Sequence, residues 1–453
     1  MKIMGNNILR IVPACMLCIT FLAGCKETSE PVSSTSPAQT TSTSNKPLKI
    51  AFLNEHQFIR EYGDSFHKKF PDIPLQVIPT VQTEGGVISE LETSAILQEK
   101  PDLVFGPNLV MELGEAGKLF DLSVLAKREN MDLSVISPAV IDALQALGNG
   151  KLVALASEFQ SAALYYNKSL FDRLQIPYPS NDISWQSLLE LSKRIARTEN
   201  GKSIYGLTHR NSPTVFLSQY IHGVGAPSPI SEDGRKANYT SVAYSSAVEA
   251  GIAAFASGAF YLPQQNLPAA QSVAESLNRN KFVTGEAAMT IDSPGLMTTL
   301  KQAADQGIPS FSWDLVSEPI HPSKPKDSQN IVVSSVFGMM ADSEKKDAAW
   351  TFLKYLISSE LAAELPKTKP HFLSVRLDAG GERDGRKLDA FYAHRPIQIS
   401  PRRLPKEISQ EYNKLHTEEM TNLLYGRKRV ADGLQFLQDS VQRLLDQANG
   451  SGK

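Results

Sequence analysis

Short apolar runs alternating with helical stretches constrain this chain more than any other feature. Leu48-Lys49-Ile50-Ala51-Phe52-Leu53 reads as a buried strand, a helical stretch follows to Phe70, and Pro71-Asp72-Ile73-Pro74 turns into a second strand at Leu75 to Ile78. Val87, Ile88, Leu91 and Ala95 fall at helical spacing over 87–98, before a third apolar run at Asp102-Leu103-Val104-Phe105-Gly106. Strands of four to six residues separated by helices imply βαβ units and a mainly parallel sheet, buried on both faces.

The pattern resumes near residue 160. Ala162 to Tyr166 is an expected strand, Leu188 to Ile195 a helix, Tyr205 to Thr208 a strand and Val242 to Ala256 a helix. Ile331 to Met340 reads as a further strand. Ala349, Phe352, Leu353 and Leu356 at i, i+3, i+4, i+7 give an amphipathic helix. Asp342 or Ser343 is its expected cap, with Glu344 and Asp347 near the positive end of its dipole. The last hundred residues are expected to be mostly helical. Their basic residues at 402, 403, 406 and 427–429 read as solvated helix faces. With 453 residues and no internal repeat, the chain suits two or three packed lobes.

The N-terminus reads differently. Lys2 and Arg10 precede an apolar run from Ile11 to Ala23, about 13 residues and too short to span a bilayer. It fits the h-region of a secretory signal. The run ends in Leu22-Ala23-Gly24-Cys25, which resembles the lipobox of bacterial lipoproteins. That resemblance implies cleavage after residue 24 and acylation (palmitate among the chains) at Cys25. Residues 26–47 are rich in Ser, Thr and Pro without an aromatic, a composition that cannot offset its ordering entropy. We expect 25–47 to be a lipidated, flexible tether. Cys15 and Cys18 lie inside the signal, so the remainder holds no disulfide and no thiolate metal site. Removing residues 1–24 leaves 44 basic against 48 acidic residues, net −4. That balance gives no reason to expect nucleic acid as a partner.

Three segments carry a family resemblance. Ala163-Leu164-Tyr165-Tyr166-Asn167-Lys168 is followed by Leu170-Phe171, Ile176-Pro177 and Trp185 opening a helix; Gln175 stands where the family has Gly, and Ser184 where it has Thr. Phe282-Val283-Thr284-Gly285-Glu286-Ala287-Ala288-Met289 is the second segment, and Ala348-Ala349-Trp350-Thr351-Phe352-Leu353-Lys354-Tyr355-Leu356 the third. In this order they resemble the extracellular solute-binding proteins of ABC importers, the family that includes maltose-binding protein, from residue 48 to about 365. The resemblance implies a two-lobe α/β periplasmic-binding-protein fold (a Venus-flytrap) with hinge crossover strands, here with a helical C-terminal region. Lobe 1 would take 48–159 plus 290–328, and lobe 2 160–289 plus 329–453. The strands at Tyr165-Tyr166-Asn167 and Ala288-Met289-Thr290 would be the crossings. It further implies a receptor without enzymatic activity, a monomer anchored at the outer or periplasmic face of a cell membrane. That receptor would deliver a small solute, a sugar or oligosaccharide first, to ABC permease subunits. The chain has no G-x-x-x-x-G-K-[ST], so the ATPase would be a separate protein.

Ligands of open α/β sheets gather at the carboxyl ends of strands. That rule selects Asn54, Glu55 and His56, then Pro107 and Asn108, then Glu158 and Gln160. It also selects His209, Arg210 and Asn211, Asp292 and Ser293, and Ser335 and Phe337. Tyr165 on the expected crossing and Trp313 complete the ligand-binding candidates, because aromatic faces stack on pyranose rings. No cofactor and no metal site is expected: adjacent Tyr165 and Tyr166 point to opposite faces of a strand, and the eight histidines form no metal-ligand spacing. An exported sensor or hydrolase on the same scaffold is the alternative, though neither G-x-S-x-G nor H-E-x-x-H occurs.

Overall fold

A computed structural model describes residues 46–80, 90–379, 381–397, 404 and 406–450. The signal, Cys25 and most of the tether expected from the sequence lie outside the described residues.

In chain order the strands that position the site are β1 (Leu48–Phe52), β2 (Leu75–Pro79), β3 (Leu103–Phe105), β4 (Ala154–Ala156), β5 (Glu158–Phe159), β6 (Ala163–Asn167), β7 (Arg197–Glu199), β8 (Lys202–His209), β9 (Ala287–Asp292), β10 (Trp313–Ser317), β11 (Asp327–Ser328), β12 (Val336–Met339) and β13 (Leu373–Ser374). Two five-stranded sheets form, β2-β1-β3-β12-β4 and β10-β6-β9-β8-β7. In the first, β1 runs parallel to β2 and β3, while β12 lies antiparallel between β3 and β4. In the second only β8 and β9 are parallel; β6 opposes both β9 and β10, and β7 opposes β8. The parallel expectation therefore holds for the first three strands and for the β8–β9 pair, and not for the rest of either sheet.

The lobe boundaries differ from those expected. β10 sits in the second sheet although 290–328 was assigned to lobe 1. β12 and the helix Lys346–Leu356 build the first lobe's core although 329–453 was assigned to lobe 2. β6 and β9 likewise are not the crossings: both lie inside the second sheet, β6 between β10 and β9, and β9 between β6 and β8. Residues 157–162 join β4 to β6, residues 318–335 join β10 to β12, and a third segment from Lys369 onward leads to the helices Lys406–Leu424 and Val430–Gly450. The last two helices pack with the second lobe through Met420, Leu423, Leu434, Leu437 and Val441.

Local sequence explains the elements. β1, β3 and β4 are almost wholly buried, as their unbroken apolar runs require. Helix Trp185–Ile195 is capped by Ser184, whose hydroxyl accepts from Ser187 N at 3.1 Å, and buries Trp185, Leu188, Leu189 and Ile195 on one face. Helix Lys346–Leu356 starts later than expected: Ser343 Oγ accepts from Lys345 N at 3.0 Å but donates to Asp102 Oδ1 at 2.7 Å, tying the turn to β3 instead of capping the helix. An aromatic core of Phe52, Phe58, Tyr62, Phe105, Phe337 and Phe352 fills the first lobe, with ring centroids 4.3–6.1 Å apart. From there one continuous apolar cluster reaches Phe159, Tyr165, Phe282 and Phe391, so the lobes share buried surface at the crossings.

Candidate functional site

Pairing directions fix which strand ends lie together. In the first sheet, Asn54 and Glu55 follow β1, Gly106–Asn108 follow β3, Ser157 and Glu158 follow β4, and Ser335 precedes the antiparallel β12. In the second, His209–Asn211 follow β8, Asp292 and Ser293 follow β9, Ser317 ends β10, and Ala162 precedes β6. The crossing 157–162 runs from the first of these edges to the second. Gln160 N donates to Val332 O at 2.8 Å and Val332 N returns to Gln160 O at 3.1 Å, so the two crossing segments are paired to one another. Both carboxyl edges therefore converge on this hinge, and this is our candidate solute site.

The first edge is built from helix starts. Asn54 Oδ1 accepts from Gln57 N at 2.8 Å and caps the helix Glu55–Phe58. Gly106 adopts φ 103, where an L side chain is strained, and turns β3 directly into helix Pro107–Glu115 with proline at its first position. Asn54, Glu55 and Asn108 are all exposed.

The second edge is more deeply set. Asp292 Oδ1 accepts from Ser293 N at 2.7 Å and from its hydroxyl at 3.3 Å; burial raises the Asp292 carboxyl, which those bonds and nearby Arg210 and His371 oppose. Ser293 Oγ lies 3.2 Å from His371 Nδ1. The His209 ring lies flat on Phe216, centroids 4.0 Å apart, and burial pushes its pKa down to about 3, so it is neutral at physiological pH. Its Nδ1 is buried without a partner.

The structure thus brings Asn54, Glu55 and Asn108 to one edge, and His209, Asp292 and Ser293 to the other. The other four candidates have side chains committed to other contacts. Glu158 is completely buried in an ion cluster, with Lys369 Nζ at 2.6 Å and the Tyr62 hydroxyl at 3.3 Å. Tyr165 is also fully buried; its hydroxyl donates to Ser293 O at 2.8 Å, bracing the second edge from beneath. Burial first, and then Asp292, raises its pKa well above the usual phenol value. Phe337 belongs to the aromatic core. Trp313 pairs with Asn167 at the opposite end of the second sheet, where Arg386 covers its ring at 3.5 Å in a pocket of about 410 Å³, and its ring lies 5.6 Å from that of Tyr165.

Sequence reasoning missed His371, Glu318, Asn330 and Gln219. The first three lie in connecting segments without periodicity, and Gln219 is one polar residue inside an apolar helix. Among the described residues, no group of three or more His, Cys, Asp or Glu is arranged to hold a metal ion.

Comparison with known proteins agrees with this architecture. Residues 52–363 match the family model described as bacterial extracellular solute-binding protein. Among solved structures, an extracellular solute-binding protein family 1 member from Alicyclobacillus acidocaldarius superposes with TM-score 0.65 at 16% identity, over 89% of this chain and 100% of that one. The sugar-binding protein MalE from Xanthomonas citri gives 0.64 at 15%, over 89% and 98%. UgpB from Mycobacterium tuberculosis, in complex with glycerophosphocholine, gives 0.57 at 16%, over 89% and 99%. The match to curated relatives from Brucella abortus and Brucella suis is 22% identical over 240 residues, and the chain spans about half the length of those relatives. The family match covers well over half of the chain and the neighbours share its two-lobe fold: this protein belongs to the bacterial extracellular solute-binding proteins.

Proposed function

We propose that the protein is a lipid-tethered receptor that captures a sugar or oligosaccharide between its lobes by hinge closure and hands it to an ABC permease. The observation that carries this reading is the convergence of two polar carboxyl edges on paired crossing segments. A solute bonded to both edges stabilises the closed form, because only that form offers both sets of partners. Polyhydroxyl solutes suit edges that mix acceptors (Asp292, Glu55) with groups that both donate and accept (Asn54, Asn108, Ser293). MalE is named a sugar-binding protein, which supports the class. Cys25 supplies the anchor and residues 26–47 the spacer between membrane and receptor.

A thermal-shift screen against sugars, oligosaccharides, amino acids, polyamines, phosphate esters and metal ions tests the solute. A ligand at 100 times its Kd stabilises by about 2.7 kcal/mol, a rise of roughly several degrees for lobes of this size. A sharp response confined to a non-saccharide refutes the sugar. Cys25→Ser should release the protein from the membrane fraction and abolish incorporation of an alkyne-tagged fatty acid; retention of either refutes the tether.

A further inference from the structure

A chain of side-chain amides runs inward from the carboxyl end of β8. Asn211 Nδ2 donates to Gln219 Oε1 at 3.2 Å, Gln219 Nε2 to Asn330 Oδ1 at 3.1 Å, and Asn330 Nδ2 to Glu318 Oε2 at 2.5 Å. Asn211 is half-buried, whereas Gln219, Asn330 and Glu318 are buried. The chain joins the β8 edge, the helix Pro213–Gly223 and the crossing 318–335. It has one sense throughout: all three amides donate inward, and Gln219 and Asn330 each accept from the residue outside them.

Glu318 dictates that sense. An ionised carboxylate only accepts, so Asn330 must turn its NH2 toward it and its oxygen toward Gln219, and Gln219 must do the same to Asn211. Asn211, half-buried just after β8, is left with its Oδ1 outside the chain. Swapping Gln219 or Asn330 would set oxygen against oxygen and nitrogen against nitrogen at buried positions, and swapping Asn211 would set its oxygen against that of Gln219, each mismatch leaving a polar group unpaired.

We propose that this relay is a specificity device: Glu318 orients Asn211 so that the second edge presents an acceptor, selecting solutes that place a hydrogen-bond donor there, a hydroxyl or an ammonium group. The inference rests on the solute-receptor reading for the word solute; the relay itself does not. Protonation relaxes the device, because a neutral carboxyl also donates and no longer forces the amide order. Several groups face Glu318. From its own segment and the helix come Asn330, Ser328 and Gln219, with Arg210 beyond them. His222, His321 and Asp327 line the same small pocket, and His394 lies against the 318 backbone. Glu318 Oε1 has no partner, and burial raises the carboxyl to about 7. His222, His321 and His394 are instead lowered by burial, so they titrate below it.

The test needs no solute. Side-chain 15N amide signals of Asn211, Gln219 and Asn330 should shift together with one midpoint near pH 7 in the full protein. Glu318→Gln should remove that step while the histidines still titrate. Gln219→Leu should leave it at Asn330 and erase it at Asn211. Asn211 signals that stay flat between pH 6 and 8, or that titrate unchanged in E318Q, overturn the relay. The ligand arm uses maltose, putrescine and permethylated maltose as thermal-shift probes. Stabilisation by either donor-bearing probe, weakened about two- to tenfold in apparent affinity by Gln219→Leu, is the expected result. Equal stabilisation by permethylated maltose overturns the donor selection. Silence from all three counts against the solute class alone, and the amide titration still decides the relay.

Discussion

Lys369→Met should be among the most damaging single changes in this protein. Lys369 Nζ lies 2.6 Å from Glu158 Oε1, 2.9 Å from Glu61 Oε2 and 3.1 Å from the Tyr62 hydroxyl, and sits 4.9 Å above the Tyr62 ring. Burial works against its charge, but Tyr62, Glu158 and Glu61 outweigh it and hold the ammonium above its usual range. Burial and then Glu158 push the Tyr62 hydroxyl up to about 12, so it stays protonated through neutral pH. A lysine whose folded pKa is raised contributes stability fully below its unfolded value of 10.5 and loses it only as pH rises through the folded value, so at pH 7.5 the whole contribution is present. Methionine fills the same space and leaves Glu158, with no exposed surface, as an unpaired buried charge. Removing one partner of such a pair costs about 3–5 kcal/mol. For a lobe of this size that is a fall of roughly 6–20 °C in Tm. Calorimetry at pH 7.5 on the parent, Lys369→Met, Glu158→Gln and the double variant measures it. The double variant should recover at least half of the loss, since a neutral amide tolerates the pocket better than a lone carboxylate. A cost below about 1 kcal/mol for Lys369→Met, or a double variant no better than the single, refutes the reasoning.

Other outcomes follow from particular geometries. Glu318 rises from 4.5 unfolded to about 7 folded, so the native chain keeps a proton the unfolded chain has lost, and stability falls as pH climbs through that window; Glu318→Gln should gain on the parent by about 3 kcal/mol between pH 4.5 and 7 and then level off, and parallel Tm profiles would contradict this. Gly206→Ala would drive a Cβ into Ser192 O and to 2.7 Å from Ala259 O, both backbone, and should cost roughly 3 kcal/mol in urea unfolding; a neutral result would mean β8 can move off the helix Trp185–Ile195. Trp313→Phe should leave the affinity for whichever solute the screen identifies within about twofold, because the ring lies at the far end of the second sheet. A loss beyond tenfold by titration calorimetry would place Trp313 in contact with solute.

The expected elements that were legible share a physical origin. β1, β3, the helix Val242–Ala256 and the helix around Trp350 were readable because burial is written locally, as an unbroken apolar run or an i, i+3, i+4 stripe. Which sheet a strand joins is decided by partners far away in sequence, so β10 and β12 were assigned to the wrong lobes. Positions after strands identified Asn54, Asn108, Asp292 and Ser293 as edge residues. The same rule cannot see that Glu158 is claimed by Lys369, 211 residues later, or that Tyr165 spends its hydroxyl on Ser293 O. Trp313 was chosen for its ring chemistry, and ring chemistry carries no address.

The three connectors have a consequence for how openly the lobes can move. Residues 157–162 and 318–335 are paired at Gln160 and Val332; the third lies across the first, where β13 pairs with β5 and Ser161 Oγ donates to Phe391 O at 2.8 Å. A single strand between lobes would let them roll and twist as well as bend. Three laced connectors leave bending as the soft motion, so the open form visits few relative orientations and already faces its edges toward one another. Under the proposed hinge closure, less orientational entropy is forfeited, and part of the affinity for solute would reside in chain that never touches it. Lengthening one connector by a few residues would weaken capture with every edge residue intact, and the binding protein would fail as a hinge before it failed as a surface.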